Sequence, residues 1–244
     1  MRAPAVLALS AVLGLVVTQS ARAETVLVAA AANFMVAAER LAPLFAAASG
    51  HEVRYSFGST GQLHAHIVQG APFEVFLAAD DERPPQVVAE GLGVDGTVFT
   101  YAIGQLALVS AEPGDAEAML AAGEVRNLAI ADPQTAPYGR AALEALSALG
   151  LSALYEGRIV TGENVTQALQ FVESGSAELG FVAASQVKGR TGAWIVPAGL
   201  YRPIRQDAVL LAEGEDNPAA RAYLEFLRSD EAIAVIEAAG YLVE

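Results

Sequence analysis

Short apolar runs of strand length alternate along this chain with segments in which apolar residues recur at helical spacing. The run at residues 25–30 contains no charged residue, which is typical of a parallel strand buried on both faces. Apolar residues in the segment 34–48 then recur with the period of an amphipathic helix. The same alternation predicts further strands at 52–57, 75–79, 98–110, 127–131, 158–161, 179–182, 194–197 and 204–211, and further helices at 62–69, 140–149, 166–174, 218–227 and 230–239.

The order of these elements predicts an α/β protein with two lobes. Strand–helix–strand repeats build mainly parallel sheets flanked by helices, and the chain contains two such sets. Extended segments near residues 98–110 and 201–211 join the sets, so the chain crosses into a second lobe and then returns. We therefore expect a ligand cleft between lobe 1, at residues 24–102 and 204–244, and lobe 2, at residues 103–203.

Four joints between a strand and the following helix predict the kind of ligand. A helix N-terminus offers unpaired backbone N–H groups and the positive end of the helix dipole, and both attract anions. Ligands of parallel sheets bind at the carboxyl ends of the strands, and two of the joints fall in each predicted lobe. The sequence therefore predicts an anion held between the helix N-termini at residues 31–34, 58–61, 136–139 and 163–166.

The first 23 residues have the pattern of a secretory signal peptide. Arg2 precedes a short apolar stretch at residues 5–17, and Ala21-Arg22-Ala23 is a cleavage site of the small-x-small type. The apolar stretch is too short for a membrane span. The chain contains no cysteine, which excludes disulfides and a lipid-anchoring cysteine. We therefore expect an exported, unanchored protein of the bacterial periplasm.

The excess of acidic over basic residues limits the classes of partner that the protein is expected to bind. The net charge of −14 becomes −16 without the predicted signal peptide, because that segment contains Arg2 and Arg22 but no acidic residue. Nucleic-acid binding needs a basic face, so we expect no nucleic-acid partner and no attraction to anionic membranes. A small anionic ligand is still compatible, because a desolvated site responds to local dipoles more than to distant, screened charges.

Metal and acid–base chemistry have few candidate residues. His64 and His66 are two apart on a predicted helix, so they face different directions and are interpreted as surface histidines. The acidic cluster at residues 80–82 is interpreted as a solvated loop with the acidic preference of a helix N-terminus. The four joints carry no general acid or base, so we expect neither enzyme activity nor a cofactor.

Seven stretches, in this order, carry a resemblance to a known family: VLVAAAANF, YSFGSTGQL, QGAPFEVFLAAD, ADPQTAPYG, TGENVTQAL, GFVAAS and AGY. They are similar to the periplasmic molybdate-binding proteins of ABC importers, over residues 26–241. The resemblance implies the two-lobe type II fold of solute-binding proteins and tight binding of molybdate, with tungstate as a further ligand. It also implies an ABC permease of the inner membrane as partner, and we expect the protein to be a monomer.

In that family only neutral donors hold the tetrahedral oxyanion: backbone N–H groups, hydroxyls and an amide. The resemblance therefore implies six oxyanion-binding residues, two each at the first and second joints and one each at the third and fourth: Ala32, Asn33, Ser59, Thr60, Tyr138 and Val165. Molybdenum would be present only as bound molybdate, held through Asn33, Thr60, Tyr138 and Val165. Ordinary N-caps explain Asn33, Ser59 and Thr60 equally well, and a packed turn explains Tyr138.

One stretch departs from the family pattern. Many relatives end a strand of the second lobe with Gly-x-Val-Tyr, whose tyrosine hydroxyl contacts the oxyanion, whereas this chain ends it with Ala183. Tyr138 stands where those relatives have a small residue, so its hydroxyl is a candidate replacement for the missing donor. Arg140 and Arg158 are not assigned to the site, because the family pattern uses no charged side chain.

Other functions stay open at this point. A receptor for sulfate, for another oxyanion or for a small organic anion fits the same joints. An enzyme on the same scaffold would need an acid or base in the cleft. A sensory module would need a membrane segment or a signalling domain.

Overall fold

The structure is a computed structural model that describes residues 23–244. Its strands are β1 (Thr25–Ala31), β2 (Glu52–Gly58), β3 (Val75–Leu77), β4 (Phe99–Gly104), β5 (Leu106–Ser110), β6 (Leu128–Ala131), β7 (Ile159–Gly162), β8 (Leu179–Ala183), β9 (Trp194–Ile195) and β10 (Ile204–Leu210). Its α-helices are α1 (Met35–Ser49), α2 (Thr60–Val68), α3 (Arg83–Ala89), α4 (Ala116–Ala122), α5 (Pro137–Ala148), α6 (Val165–Glu173), α7 (Pro218–Phe226) and α8 (Asp230–Ala238). The predicted signal peptide, residues 1–23, lies outside the described residues apart from Ala23.

The strands form two sheets with the same topology. In the first, ordered β2-β1-β3-β10-β4, β1 is parallel to β2 and β3, and β10 is antiparallel to β3 and β4. In the second, ordered β7-β6-β8-β5-β9, β6 is parallel to β7 and β8, and β5 is antiparallel to β8 and β9. The predicted two-lobe α/β architecture is confirmed, and two further strands make each sheet mixed.

Helices cover both faces of the first sheet because its central strands are apolar on both faces. Alternate side chains of β1 point to opposite sides: Val26 and Val28 pack with α1, α7 and α8, whereas Ala29 packs with α2 and α3. The same period of two separates Leu77 from Phe76 on β3. The carboxyl ends of the parallel strands therefore stay uncovered by helices of the same face and are available for a site.

The chain passes between the sheets twice. β4 ends at Gly104 in the first sheet and β5 begins at Leu106 in the second, so Gln105 alone lies between them. The single extended run predicted at 98–110 is therefore wrong in this respect, because its two halves pair with different strands. The chain returns between β9 and β10, after which α7 and α8 pack on the first sheet.

Two short helices, α3 and α4, were not predicted from the sequence. Each has seven residues, and α3 begins Arg-Pro-Pro, so neither is long enough to display a helical period.

No helix among residues 23–244 combines the length and the apolar character that a membrane crossing requires.

Candidate functional site

The helix N-termini that follow β1, β2, β6 and β7 meet in one cleft between the two sheets. This narrow cleft is lined by all six residues implied by the resemblance, together with small or uncharged neighbours: Ala31, Ala32, Asn33, Gly58, Ser59, Thr60, Ala79, Ala136, Pro137, Tyr138, Asn164 and Val165. We call it the donor cleft. The four joints are thus brought together, two from each sheet, as the sequence pattern predicted.

The first turn of α2 leaves one backbone donor for the donor cleft. Ser59 is the N-cap, and its Oγ accepts from the Gln62 N–H at 3.4 Å while the Gln62 side chain accepts from the Ser59 N–H. The Gly61 N–H donates to the Thr135 carbonyl at 2.8 Å. Within residues 23–244 the Thr60 N–H has no acceptor outside its own helix, and a first-turn N–H has none inside it.

The first turn of α6 is arranged in the same way. Asn164 is its N-cap, and Asn164 Oδ1 accepts from the N–H groups of Thr166 at 3.0 Å and Gln167 at 3.1 Å. The Val165 N–H is left as the first-turn donor without an acceptor in the described chain. An apolar residue therefore belongs to the site through its backbone alone.

The first turn of α5 reaches the same result by different residues. Pro137 occupies the first position and has no N–H, and the Gly139 N–H donates to the Ala136 carbonyl at 3.0 Å. The Tyr138 N–H is left in between, without an acceptor among residues 23–244. At the first joint, the 3-10 turn Ala32–Phe34 has no side-chain cap, so its initial N–H groups are also uncapped.

Two hydroxyl groups add donors on the first-lobe side of the cleft. Thr60 Oγ1 accepts from the Ala79 N–H at 3.0 Å, and Ser59 Oγ accepts from Gln62. A hydroxyl that accepts from the backbone still has its own hydrogen to donate. Thr60 and Ser59 are only 1% and 3% exposed, so such a hydrogen bond would form away from bulk water.

The Asn33 side chain is committed to contacts within the protein. Its Nδ2 donates to Gln206 Oε1 at 2.9 Å and to Tyr241 Oη at 3.0 Å, which uses both amide hydrogens. The backbone carbonyl of Asn33 accepts from Tyr241 Oη at 2.6 Å and from Ser185 Oγ at 3.2 Å. Asn33 therefore presents its backbone N–H to the cleft, while its side chain ties β1 to more distant segments.

Tyr138 is buried at the back of the cleft. Its Oη accepts from Gln206 Nε2 at 3.3 Å. Burial raises the pKa of its hydroxyl well above the usual value, so the group stays protonated and able to donate at neutral pH. Ala183 is also fully buried and supplies no polar side chain.

A second, charged cleft lies beside the donor cleft and shares Ala79 and Pro137 with it. This cleft is wider than the donor cleft, and three arginines and four acidic residues line it. Arg140 Nη1 of α5 contacts Glu82 Oε2 at 2.9 Å and Arg140 Nη2 contacts Asp80 Oδ2 at 3.6 Å, so these ion pairs bridge the lobes. The hydrogen bond from Arg140 lowers the pKa of Glu82. We call this the charged cleft.

The structure corrects one interpretation of the acidic cluster. Asp81 and Glu82 are exposed, as expected for a solvated loop, but Asp80 is buried. Its carboxylate accepts from the Arg83 N–H at 3.0 Å and pairs with the Arg83 guanidinium. Asp80 therefore has a structural role in starting α3 and holding two arginines.

The histidines lie away from both clefts. His66 is exposed, and His64 is half-buried with its Nε2 at 3.4 Å from Glu90 Oε2. Among the residues that the structure describes, no three His, Asp or Glu side chains are grouped so as to hold a metal ion.

Four residues behind the donor cleft were missed by sequence reasoning. Gln206, Tyr101, Tyr241 and Ser185 are buried and hydrogen-bonded directly or indirectly to Asn33. The only sequence signal was Gln206 itself, a polar residue within a run predicted as a buried strand. Tyr241 belongs to the AGY stretch that contributed to the resemblance.

Two lobes in contact around a small cleft of unpaired donors define a receptor that encloses its ligand. The chain belongs to the bacterial extracellular solute-binding proteins: this family matches residues 26–242. Its fold is the type II periplasmic binding fold, as the resemblance implied.

Individual relatives agree with the family assignment. The chain is 47% identical over 241 residues to the molybdate-binding protein ModA of Rhodobacter capsulatus, covering 97% of this chain and 95% of the relative. It is 49% identical over 231 residues to ModA of Azotobacter vinelandii, covering 91% of each. The solved periplasmic molybdate-binding protein of Azotobacter vinelandii matches with a TM-score of 0.85 at 39% identity, over 90% of this chain and 99% of the other. These matches confirm the resemblance to periplasmic molybdate-binding proteins that the sequence stretches indicated.

Proposed function

We propose that this protein is a periplasmic receptor that binds molybdate and delivers it to an ABC permease of the inner membrane. The observation that carries the proposal is the donor cleft, where unpaired first-turn N–H groups from both lobes meet two hydroxyls and no charged side chain. The names of the two relatives at 47% and 49% identity support molybdate as the ligand. Tungstate has the same charge and tetrahedral shape, so we expect it to bind as well.

The ligand contacts follow from the donors that the fold leaves free. Ala32, Asn33, Thr60, Tyr138 and Val165 would donate backbone N–H groups, and Ser59, Thr60 and Tyr138 would donate hydroxyl hydrogens. Molybdenum would be present only inside the oxyanion and would meet no side chain directly. Hydrogen bonds to a charged acceptor contribute roughly 1.5–3 kcal/mol each. About seven of them, with the helix dipoles, are enough to offset dehydration of the dianion and leave nanomolar affinity, near −12 kcal/mol.

A cleft that only donates also selects the protonation state of its ligand. A protonated oxyanion such as hydrogen phosphate carries an O–H that needs an acceptor, and the donor cleft would leave it unpaired. Sulfate is fully deprotonated and passes this filter, so it is the strongest competing ligand. We expect the size of the donor cleft to distinguish sulfate from the larger molybdate.

The role proposed here is binding without catalysis. The similar proteins are named as binding proteins, and the donor cleft contains backbone donors and hydroxyls but no carboxylate or imidazole to move a proton. We propose that the protein acts as a monomer in the periplasm, with the permease as its macromolecular partner, and without nucleic acid or a resident cofactor.

Ligand capture is proposed to occur by closure of the lobes. The sequence-based division puts residues 24–102 with 204–244 in lobe 1 and residues 103–203 in lobe 2. Because Ile103 and Gly104 pair with β10 in the first sheet, we propose residue 104 as the end of the first segment of lobe 1, with the hinge at Gln105 and before β10. The Gly61 N–H bond to the Thr135 carbonyl, at 2.8 Å, and the Ser185 Oγ bond to the Asn33 carbonyl, at 3.2 Å, hold the lobes together at the cleft. These contacts are those expected of the closed state.

Isothermal titration of residues 24–244 with molybdate tests the proposal. We expect one-to-one binding with nanomolar affinity that persists in millimolar sulfate and phosphate. Heat with sulfate but none with molybdate would replace molybdate by sulfate as the ligand. No heat with any tetrahedral oxyanion would contradict the assignment of the donor cleft.

A further inference from the structure

A small void at the hinge accommodates the Tyr138 hydroxyl. Tyr138 belongs to α5 of the second lobe, but its Oη lies against Gly104 at the end of β4 and Gln206 on β10, both in the first sheet. A Cβ atom at Gly104 would lie 2.1 Å from Tyr138 Oη and 2.6 Å from Gln206 Nε2. Such distances are far inside van der Waals contact, so any side chain at position 104 displaces the hydroxyl.

Backbone conformation does not explain the glycine. Gly104 is absent from the glycines with positive φ, so an alanine has access to the same backbone angles. The space that the missing side chain leaves is therefore the feature that matters. It lies one residue before Gln105, where the chain crosses from the first sheet to the second.

Gln206 fixes the direction of the hydroxyl. Its Oε1 accepts from Asn33 Nδ2 at 2.9 Å and from Tyr101 Oη at 3.1 Å. Its Nε2 then faces Tyr138 and donates to Oη at 3.3 Å. The hydroxyl oxygen accepts from Gln206, so its hydrogen is left to donate elsewhere. Tyr138 is one of the residues that line the donor cleft, whereas Gly104 and Gln206, which contact its hydroxyl, lie outside that lining.

We infer that Gly104 and Gln206 are positioning residues that hold the Tyr138 hydroxyl as a ligand donor when the lobes close. Neither residue needs to touch the oxyanion. The inference rests on the proposed function for its ligand, but the contact between Gly104 and the Tyr138 hydroxyl can be tested on the ligand-free protein.

A double-mutant cycle with Gly104→Ala and Tyr138→Phe tests the inference. Calorimetric titration with molybdate gives the dissociation constant for the wild type, both single variants and the double variant. We expect Gly104→Ala to weaken binding at least tenfold in the wild type but at most threefold in the Tyr138→Phe background. The closest clash, with the hydroxyl, is absent there, and the Gln206 amide no longer has a hydroxyl to hold in place. Equal losses in both backgrounds, or no loss at all, would overturn the inference.

Two additions keep the test decisive. Gly199→Ala is the matched control, because a Cβ there meets nothing within 4 Å and its φ is not positive; it should leave affinity unchanged. Gln206→Met, which keeps the side-chain length and removes the donor, replaces Gly104→Ala in the cycle if the latter does not fold, with the same expected non-additivity.

A ligand-free readout separates this inference from the proposed function. Gly104→Ala should lower the thermal unfolding midpoint of the empty protein, and less so in the Tyr138→Phe background. If the wild type fails to bind molybdate, the proposed function is lost while this coupling still decides the inference. Additive shifts in the unfolding midpoint would overturn it.

Discussion

The two clefts between the lobes share Ala79 and Pro137 but differ in every property that governs anion binding. The donor cleft is lined by uncharged residues, and the charged cleft by three arginines and four acidic residues. From formal charge alone, an anion would be expected to bind at the arginines of the charged cleft. We propose the neutral side instead, because the Thr60, Tyr138 and Val165 N–H groups there have no acceptor among residues 23–244, whereas Arg140 already contacts Glu82 and Asp80.

The comparison teaches that available donors matter more than formal charge. A dianion entering the charged cleft would have to displace carboxylates at 2.9–3.6 Å from Arg140 and approach them closely. In the donor cleft, the N–H groups of Thr60, Tyr138 and Val165 are held in the first turns of helices. Side-chain caps engage neighbouring N–H groups in α2 and α6, whereas in α5 Pro137 has no N–H and the Gly139 N–H donates to the Ala136 carbonyl. Such preorganised donors need no rearrangement when the ligand arrives.

The largest effect should come from placing a charge in the donor cleft. Ser59→Asp preserves an N-cap for α2, since aspartate caps as well as serine, but puts a carboxylate beside the ligand. Two unit charges repel by roughly 4 kcal/mol at about 4 Å and an effective dielectric constant near 20, and molybdate is a dianion, so we expect a loss of affinity of at least about a thousandfold. Titration calorimetry measures it.

Ser59→Asn is the control for that experiment. It has the shape of aspartate, caps equally well and carries no charge. We expect it to bind at least a hundredfold more tightly than Ser59→Asp; similar affinities would mean that bulk, not charge, caused the loss.

The next largest effect should come from a hydroxyl donor. Thr60→Val keeps the shape of the side chain and removes one hydrogen bond to a charged acceptor, which predicts a loss of roughly tenfold to 150-fold in affinity. It also leaves the Ala79 N–H unpaired, so the thermal unfolding midpoint should fall. Thr60→Ser retains the hydroxyl and should stay within about threefold of wild type. Equal behaviour of the two variants would remove this hydroxyl from the site.

A smaller effect is expected in the charged cleft. Arg140→Gln removes the ion pairs across the lobes, and partly exposed pairs are worth at most about 1 kcal/mol, so affinity should fall by about fivefold or less. Arg126→Gln, which breaks an exposed pair with Glu178 within the second lobe, should leave affinity unchanged. A hundredfold loss for Arg140→Gln would move the ligand into the charged cleft and reverse the comparison.

The smallest effect is expected from the histidines. Replacing His64 and His66 together by glutamine should leave molybdate affinity unchanged between pH 6 and 8, because neither residue lines a cleft. A large change would mean that imidazole groups take part in binding and that the class of ligand is misassigned.

Local patterns were enough to predict much of the fold and the location of the cleft. The apolar runs of β1 and β6, the strand patterns of β2 and β7, and the polar or small residues after these strands predicted both the sheets and the four joints. The strand partners of the two halves of residues 98–110 were not predictable from the local sequence. The first half pairs with β10 and the second half with β8, and these strands lie about 70 to 100 residues away in the chain.

The side-chain roles were harder to predict than the positions. Val165 enters the site only because Asn164 occupies the two N–H groups that follow it, and that depends on the geometry of one cap. Asn33 was expected to be an N-cap or a ligand, yet its amide bonds Gln206 and Tyr241, which are more than 170 residues away in sequence. No local pattern encodes such partners.

A crystal structure of the molybdate complex, with molybdenum located by its anomalous scattering, tests the central claim most directly. The account predicts one molybdenum peak in the donor cleft, with oxygens within hydrogen-bond distance of the Thr60, Tyr138 and Val165 N–H groups and Arg140 still paired with Glu82. A peak in the charged cleft, with Arg140 turned onto the oxyanion, would contradict it.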